Sequence, residues 1–419
     1  MSQKNLSSNF NVSLRKTTAL AFIIPVLIIV LAESAQAQTY KVLYNFTGGQ
    51  DGAYPKAGLT ADKAGNLYGT AYQGGSLNRG TAFELRRKSS RWVFNTLYSF
   101  TGREDGGAPI ARVVFGPDGS LYGATEFGGL NCGEGCGTVF NLKVTSCKHT
   151  PCPWLETVLY RFSGSNDGAN PGFGALTFRA GHIFGTTFFG GNNAQGVVYK
   201  LTSQHGSWTE SGLYLFTGRQ DGGNPYSSVI FDKAGKLYGT TYAGGADGYG
   251  TVFQLTPSAS GWTEKTLHAF QSSSDGGSPF GGVVFDNSGN LHGATSGGGP
   301  GNGGTVYDLM PSNGIWTFSV LYGFNGSAYL PGPYDSLTMD AAGNLYGTTI
   351  KDGAQGTGSV FKLTPSVDGW TETDLYDFPS SADGALPYGS VLIDAKGNLY
   401  GTASEGGANG YGVIWEITP

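Results

Sequence analysis

The chain has 419 residues and a formal net charge of −5; 39% of it is hydrophobic and only 13% charged. That balance, with no run of Lys or Arg, excludes nucleic acid and anionic membrane as partners of the folded surface. Glycine is the outlier at 71 residues, but it recurs at fixed offsets beside Tyr, Phe, Val and Leu. Such spacing marks turns in an ordered β protein instead of a low-complexity coil.

Residues 1–37 read as a secretory signal peptide. Lys4, Arg15 and Lys16 form a basic start, Ala19 to Ala32 is an apolar run interrupted by Pro25, and Ala35-Gln36-Ala37 is a small-x-small cleavage site. The apolar run is shorter than the ~20 residues a spanning helix needs, and no cysteine follows it that would carry a lipid. The expected product is secreted or periplasmic, with no membrane attachment after signal cleavage.

The rest of the chain repeats. Asn66-Leu67-Tyr68-Gly69-Thr70 has counterparts centred on Gly123, Gly185, Gly239, Gly293, Gly347 and Gly401, at spacings of 54, 62, 54, 54, 54 and 54 residues. A fixed period of about 50 residues signals stacked supersecondary units. In the second unit, Pro109 to Phe115, Ser120 to Thr125, Gly137 to Leu142 and Trp154 to Phe162 are runs rich in β-branched and aromatic residues, punctuated by Gly, Pro and Asp. They read as four strands, and no segment has a sustained helical period. Four strands per unit in radial repetition make a β-propeller blade.

The last unit stops after its third strand, Gly412 to Thr418, and the missing fourth is Tyr40 to Phe46, which matches Leu97-Tyr98-Ser99-Phe100. The prediction is therefore an all-β, seven-bladed propeller with four antiparallel strands per blade, closed by the N-terminal strand, which covers strand edges otherwise left open. It is a single domain, 38–419. Its blades run approximately 47–100, 101–162, 163–216, 217–270, 271–324, 325–378, and 379–419 plus 38–46. The pattern D-G-x-x-P, G-N-L-Y-G-T-T, G-G, G-T-V-F-x-L-T-P and W-T-x-x-x-L-Y-x-F resembles the Gloeo/Verruco-type tandem repeat of exported bacterial proteins. This resemblance covers the whole of 38–419 and implies compartment and repeat type but no reaction. Members often carry a C-terminal sorting segment; none follows Pro419, which implies a soluble product.

All four cysteines belong to the second unit. The third strand, roughly Gly137 to Val144, spaces Cys132 and Cys136 from Cys147 and Cys152 by about 20 Å or more at ~3.3 Å per residue. A bridge needs Cα atoms within about 7 Å. The expected disulfides are Cys132–Cys136 and Cys147–Cys152, favoured in an exported protein over a four-thiolate zinc site.

Two loop families open on one face of such a propeller. One carries Asp51, Asp105, Asp167, Asp221, Asp275 and Asp383, each four residues before a Pro; the other carries the Gly-Gly pairs, such as Gly74-Gly75 and Gly128-Gly129. A ring of carboxylates and exposed N–H groups could bind a cation such as Ca²⁺ or sugar hydroxyls, whereas each Asp could equally cap its own turn. Recurrence in nearly every blade favours the structural role. The sixth unit departs from the pattern: Tyr329 replaces the Asp, and Ile350-Lys351-Asp352-Gly353 replaces the Gly-Gly loop. Tyr329, Lys351 and Asp352 are a candidate pocket for a polar small molecule, with drift of an unconstrained blade as the alternative.

Catalytic signatures are missing. His149, His182, His205, His268 and His292 have no metal-binding spacing, and there is no G-x-S-x-G elbow. His268 and His292 each replace a Tyr of the repeat and are expected to pack. The reading is a monomeric, non-catalytic propeller that binds an extracellular carbohydrate or protein on the face of the Asp and Gly-Gly loops, with no cofactor beyond that Ca²⁺ option. The alternatives are a polysaccharide-active or ester hydrolase or lyase on the same face, and a structural component of the cell envelope.

Overall fold

A computed structural model describes residues 38–419, apart from 90, 130–131, 134, 146–151, 327–330 and 380–381. The signal-peptide reading thus falls outside the described residues, as do Tyr329, Cys147 and His149. Every helix or strand among the described residues is a strand, and no helix is long and apolar enough to cross a membrane.

The strands form seven four-stranded antiparallel sheets arranged as the blades of a propeller. In the first blade Thr60–Ala61 is innermost, followed outward by Leu67–Ala71, Thr81–Lys88 and Arg91–Ser99. The last blade joins Leu392–Ile393, Leu399–Ala403 and Val413–Thr418 to the N-terminal Thr39–Asn45, which pairs antiparallel with Tyr40 opposite Ile417. This is the closure that the offset ends of the chain imply. It is reinforced by the Thr402 hydroxyl, which donates to the Ala57 carbonyl at 2.8 Å. Thr240 makes the same bond to Gly281 at 2.9 Å and Thr348 to Gly389 at 3.1 Å, so the seam that closes the ring is built like the seams inside it.

The glycine of the Leu-Tyr-Gly-Thr run is a mid-strand residue. Gly69 lies directly across from Phe83, and the same pairing joins Gly123 to Phe140, Gly185 to Tyr199, Gly239 to Phe253, Gly293 to Tyr307, Gly347 to Phe361 and Gly401 to Trp415. A Cβ on Gly239 would sit 2.7 Å from the Phe253 ring, and one on Gly401 2.2 Å from Trp415. The aromatic side chain fills the space over the glycine, so Gly is required here for close approach and not for a turn.

The innermost strands are shorter than the apolar runs that announce them. Of Pro109 to Phe115, only Val114–Phe115 pairs as strand. Ala111 and Val113 are buried all the same, Val113 in the apolar cluster shared with the first blade. The core is divided among seven clusters, each shared by two adjacent blades. One combines Tyr68, Ala82 and Phe100 with Val113, Leu121, Phe140 and Leu142. No blade buries its faces alone, as expected of a repeat architecture.

Cys132 and Cys136 are disulfide-bonded, with Cα atoms 5.7 Å apart, in the loop between the second and third strands of the second blade. Cys152 is also disulfide-bonded; the proposed partner Cys147 lies outside the described residues. Replacing Gly239 with Ala should overpack the Phe253 contact and lower unfolding free energy by about 1–3 kcal/mol. In the double variant Gly239→Ala, Phe253→Leu the two costs should be less than additive, and denaturant titration of the four-member cycle measures the coupling.

Candidate functional site

The loop that leads into each blade sets what reaches the axis. Its Asp clamps the turn. The Asp221 carboxylate accepts the Tyr214 hydroxyl at 3.1 Å and the Thr217 N–H at 2.8 Å. Asp51, Asp105 and Asp167 repeat this with Tyr44, Tyr98 and Tyr160 at 2.9–3.1 Å and with the N–H groups of Thr47, Thr101 and Ser163. Asp275 holds His268 at 2.9 Å and the Gln271 N–H at 3.0 Å, and Asp383 accepts the Tyr376 hydroxyl at 2.7 Å.

Three residues after each Asp, the backbone turns left-handed at a residue that is never Gly: Tyr54, Ala108, Asn170, Asn224, Ser278 and Leu386, with φ from 54° to 57°. This conformation is costly for most side chains. It is held by the residue's own N–H, which donates to the preceding blade, as from Asn224 to the Gln195 carbonyl at 2.6 Å and from Leu386 to Thr357 at 2.8 Å. The following Pro packs on a glycine of that blade; Pro225, for example, lies against Gly196. The next residue is thereby delivered to the axis.

These residues meet in a central cavity of ≈ 570 Å³ to which all seven blades contribute. Blades three to seven supply Phe173, Tyr226, Phe280, Tyr334 and Tyr388, and the first supplies Lys56. The aromatic residues form a continuous wall: Phe173 to Tyr226 at 4.2 Å, Tyr226 edge-on to Phe280 at 4.8 Å, Phe280 stacked on Tyr334 at 4.1 Å, and Tyr334 edge-on to Tyr388 at 4.9 Å. The hydroxyls of Tyr226 and Tyr334 are 3.2 Å apart. Opposite this wall lies a polar side. The Lys56 ammonium sits 4.1 Å from the Tyr72 ring centre, Tyr72 hydrogen-bonds the Glu126 carboxyl, and Arg112 lines the same space. Burial holds Lys56 below and Glu126 above their ordinary pKa ranges, and each group partly offsets the other's shift. Asp335 is anchored, accepting the N–H groups of Ser336 at 2.6 Å and Ser390 at 2.8 Å.

The six aspartates sit at the same end of the blades but beside the outermost strands, and none of them lines the cavity. Nor do Lys351 and Asp352. Lys351 is exposed, with its N–H on the Pro331 carbonyl at 3.0 Å, and burial followed by nearby Asp377 raises the Asp352 pKa. Tyr329 lies outside the described residues, so the suggested trio is not assembled from them. His268 takes the place of a repeat Tyr, stacked on Phe318 at 3.8 Å, and buried His292 packs 6.0 Å from Trp370. The cavity residues have a sequence signal that is easily passed over: the residue after the loop Pro is Tyr226, Phe280, Tyr334 and Tyr388 in four blades.

The repeat profile described as Gloeobacter/Verrucomicrobia repeat matches residues 30–152, 148–332 and 265–419. The chain belongs to this family. No curated protein has significant similarity to the sequence. Among solved structures, the repeat propeller resembles a "putative 6-phosphogluconolactonase" from Bacteroides uniformis ATCC 8492, with TM-score 0.52 and 16% identity over 84% of this chain and 98% of that one. It also resembles an ancestral GH74 enzyme, with TM-score 0.51 and 12% identity over 87% of this chain and 48% of that one. At such identities the likeness is one of fold alone.

The blade seams carry a second set of carboxyl groups. Burial, and then the Asp of the turn that leads into the same blade (Asp105 and Asp167), pushes Glu156 and Glu210 up to about 7; burial does the same for Glu264, and burial with Asp374 for Glu372. Their folded pKa exceeds the ~4.3 of a free Glu, so the folded state holds extra protons. The stability this contributes is full below about pH 4 and is lost as pH rises through about 7. The urea midpoint should therefore fall between pH 5 and pH 8. The quadruple variant Glu156→Gln, Glu210→Gln, Glu264→Gln, Glu372→Gln should flatten that slope. Asp118, Asp286, Asp340 and Asp394 are shifted down, and their titration acts in a separate, more acidic window.

Proposed function

We propose that this propeller is an exported binding protein that holds a small polar ligand, most naturally a carbohydrate, in the central cavity. One observation carries the reading: the cavity has an aromatic wall on one side and hydrogen-bonding and charged groups on the other. Rings with polar edges are bound by that combination, and the volume falls in the ~300–1,000 Å³ range of small-molecule sites. The cavity opens at the end of the blades that carries the Asp and Gly-Gly loops, with the ligand groups on the inner rim of that face. In this proposal the six aspartates hold the turns that aim the rim residues. Export is supported by the Cys132–Cys136 bridge, which belongs to oxidising compartments, together with the signal-like start of the sequence.

One observation favours a second reading, a hydrolase or lyase in the same cavity. Glu126 and Lys56 are pushed toward neutrality side by side, as general acid–base groups often are. Turnover of chromogenic glycosides or esters that is lost in Glu126→Gln would establish it.

Thermal unfolding of residues 38–419 across a panel of mono- and oligosaccharides tests the binding reading. A ligand at about 100 times its Kd adds about 2.7 kcal/mol. The expected rise in midpoint should vanish in Tyr334→Ala and persist in the double variant Lys351→Ala, Asp352→Ala. Loss in the double variant alone would move the site to the rim of the sixth blade, and no rise with any sugar would contradict the proposal.

A further inference from the structure

Four acidic or basic side chains line the central cavity: Lys56, Arg112, Glu126 and Asp335. Both carboxyl groups already have donors. Asp335 accepts two backbone N–H groups, one from its own blade and one from the next, and Glu126 takes the Tyr72 hydroxyl. The two cations lie near this acidic side but neither is held in a close ion pair. Among the described residues the ion pairs are Arg86–Glu84, Arg161–Glu104, His268–Asp275 and His292–Asp286, and neither Lys56 nor Arg112 takes part. Lys56 rests over the faces of Tyr72, at 4.1 Å, and Tyr388, at 5.8 Å, which support an ammonium but leave its donors free. Both side chains are partly buried; the charges of Glu126 and Glu405 offset only part of the desolvation of Lys56, and Arg112 has no ion pair among the described residues.

Resting on the binding reading above, we infer that the ligand is a sugar-sized ring bearing an anionic group. The anion is received by Lys56 and Arg112, from the first and second blades, and the ring lies against the Phe280–Tyr334 wall across the cavity. A guanidinium matches the planar fork of a carboxylate or two oxygens of a phosphate, and the ammonium adds a point charge. Carboxylate and phosphate share this chemistry, so the test includes both.

Calorimetric titration of residues 38–419 at pH 7 with D-glucuronate, D-glucose 6-phosphate and D-glucose decides the matter. At least one anionic sugar should bind tenfold or more tightly than glucose, and the larger of the two preferences identifies the group. Lys56→Gln and Arg112→Gln, each with an unchanged unfolding midpoint, should each erase most of that preference, and added salt should weaken the anionic sugars while sparing glucose. Equal affinity for all three sugars, or a preference untouched by both variants, overturns the inference. If glucose binds as well as the anions and its binding is lost in Tyr334→Ala, only the anion inference fails. Binding of none of the three overturns the sugar-binding reading with it.

Discussion

The contact between a mid-strand glycine and the aromatic ring of the next strand underlies the rest of the molecule. It occurs once in each blade, from Gly69 with Phe83 to Gly401 with Trp415. With no Cβ in the way, the ring lies across the second strand and fills the middle of the wedge. The remaining apolar side chains, such as Leu67 and Leu85, then pack toward the neighbouring blade. A bulkier residue at any of these seven positions pushes the ring outward and loosens two seams. This explains why the glycine of the Leu-Tyr-Gly-Thr stretch is the same in all seven blades while its neighbours vary, as at Phe184, His292, Ala124 and Ala294.

The inner rim inherits its geometry from that packing. Five of the seven seams have a Thr hydroxyl on a carbonyl near the axis, from Thr70, Thr186, Thr240, Thr348 and Thr402, and six have the Asp-clamped turn farther out. Between the two, a left-handed residue and a Pro aim one side chain inward. The scaffold is nearly the same in six blades, the sixth blade lacking the Asp and the left-handed residue, but the delivered residue differs: Lys56, Ile110, Phe173, Tyr226, Phe280, Tyr334 and Tyr388. A ring of similar supports with unlike tips separates folding from recognition, and the aromatic and charged halves of the cavity follow from which tip stands in which blade.

Fold and site were unequally legible in the sequence. The 54-residue period, the offset of the first strand and the short Cys132–Cys136 spacing are regular or local features, so the seven blades, the closure and that bridge could be read directly. The glycine of the Leu-Tyr-Gly-Thr run falls inside a segment legible as strand, but its packing role was not legible because its ring partner is 14 residues away in Gly69 and Phe83 and 17 in Gly123 and Phe140. The conspicuous aspartates attracted attention because they recur, yet recurrence is what a turn clamp produces. The cavity was missed for the converse reason. Its residues come from seven places about 54 apart and differ in kind, and Phe173 stands one residue farther past its Pro than Tyr226 does. Only closure of the ring brings them together.

The central claim is that the variable tips at the axis, and not the repeated loops outside them, form the ligand site. A crystal structure of residues 38–419 soaked with a sugar that raises the unfolding midpoint tests it most directly. The account predicts a ring between the Phe280–Tyr334 wall and Lys56. Density for the sugar at the Asp or Gly-Gly loops, with the central cavity holding only water, would contradict it.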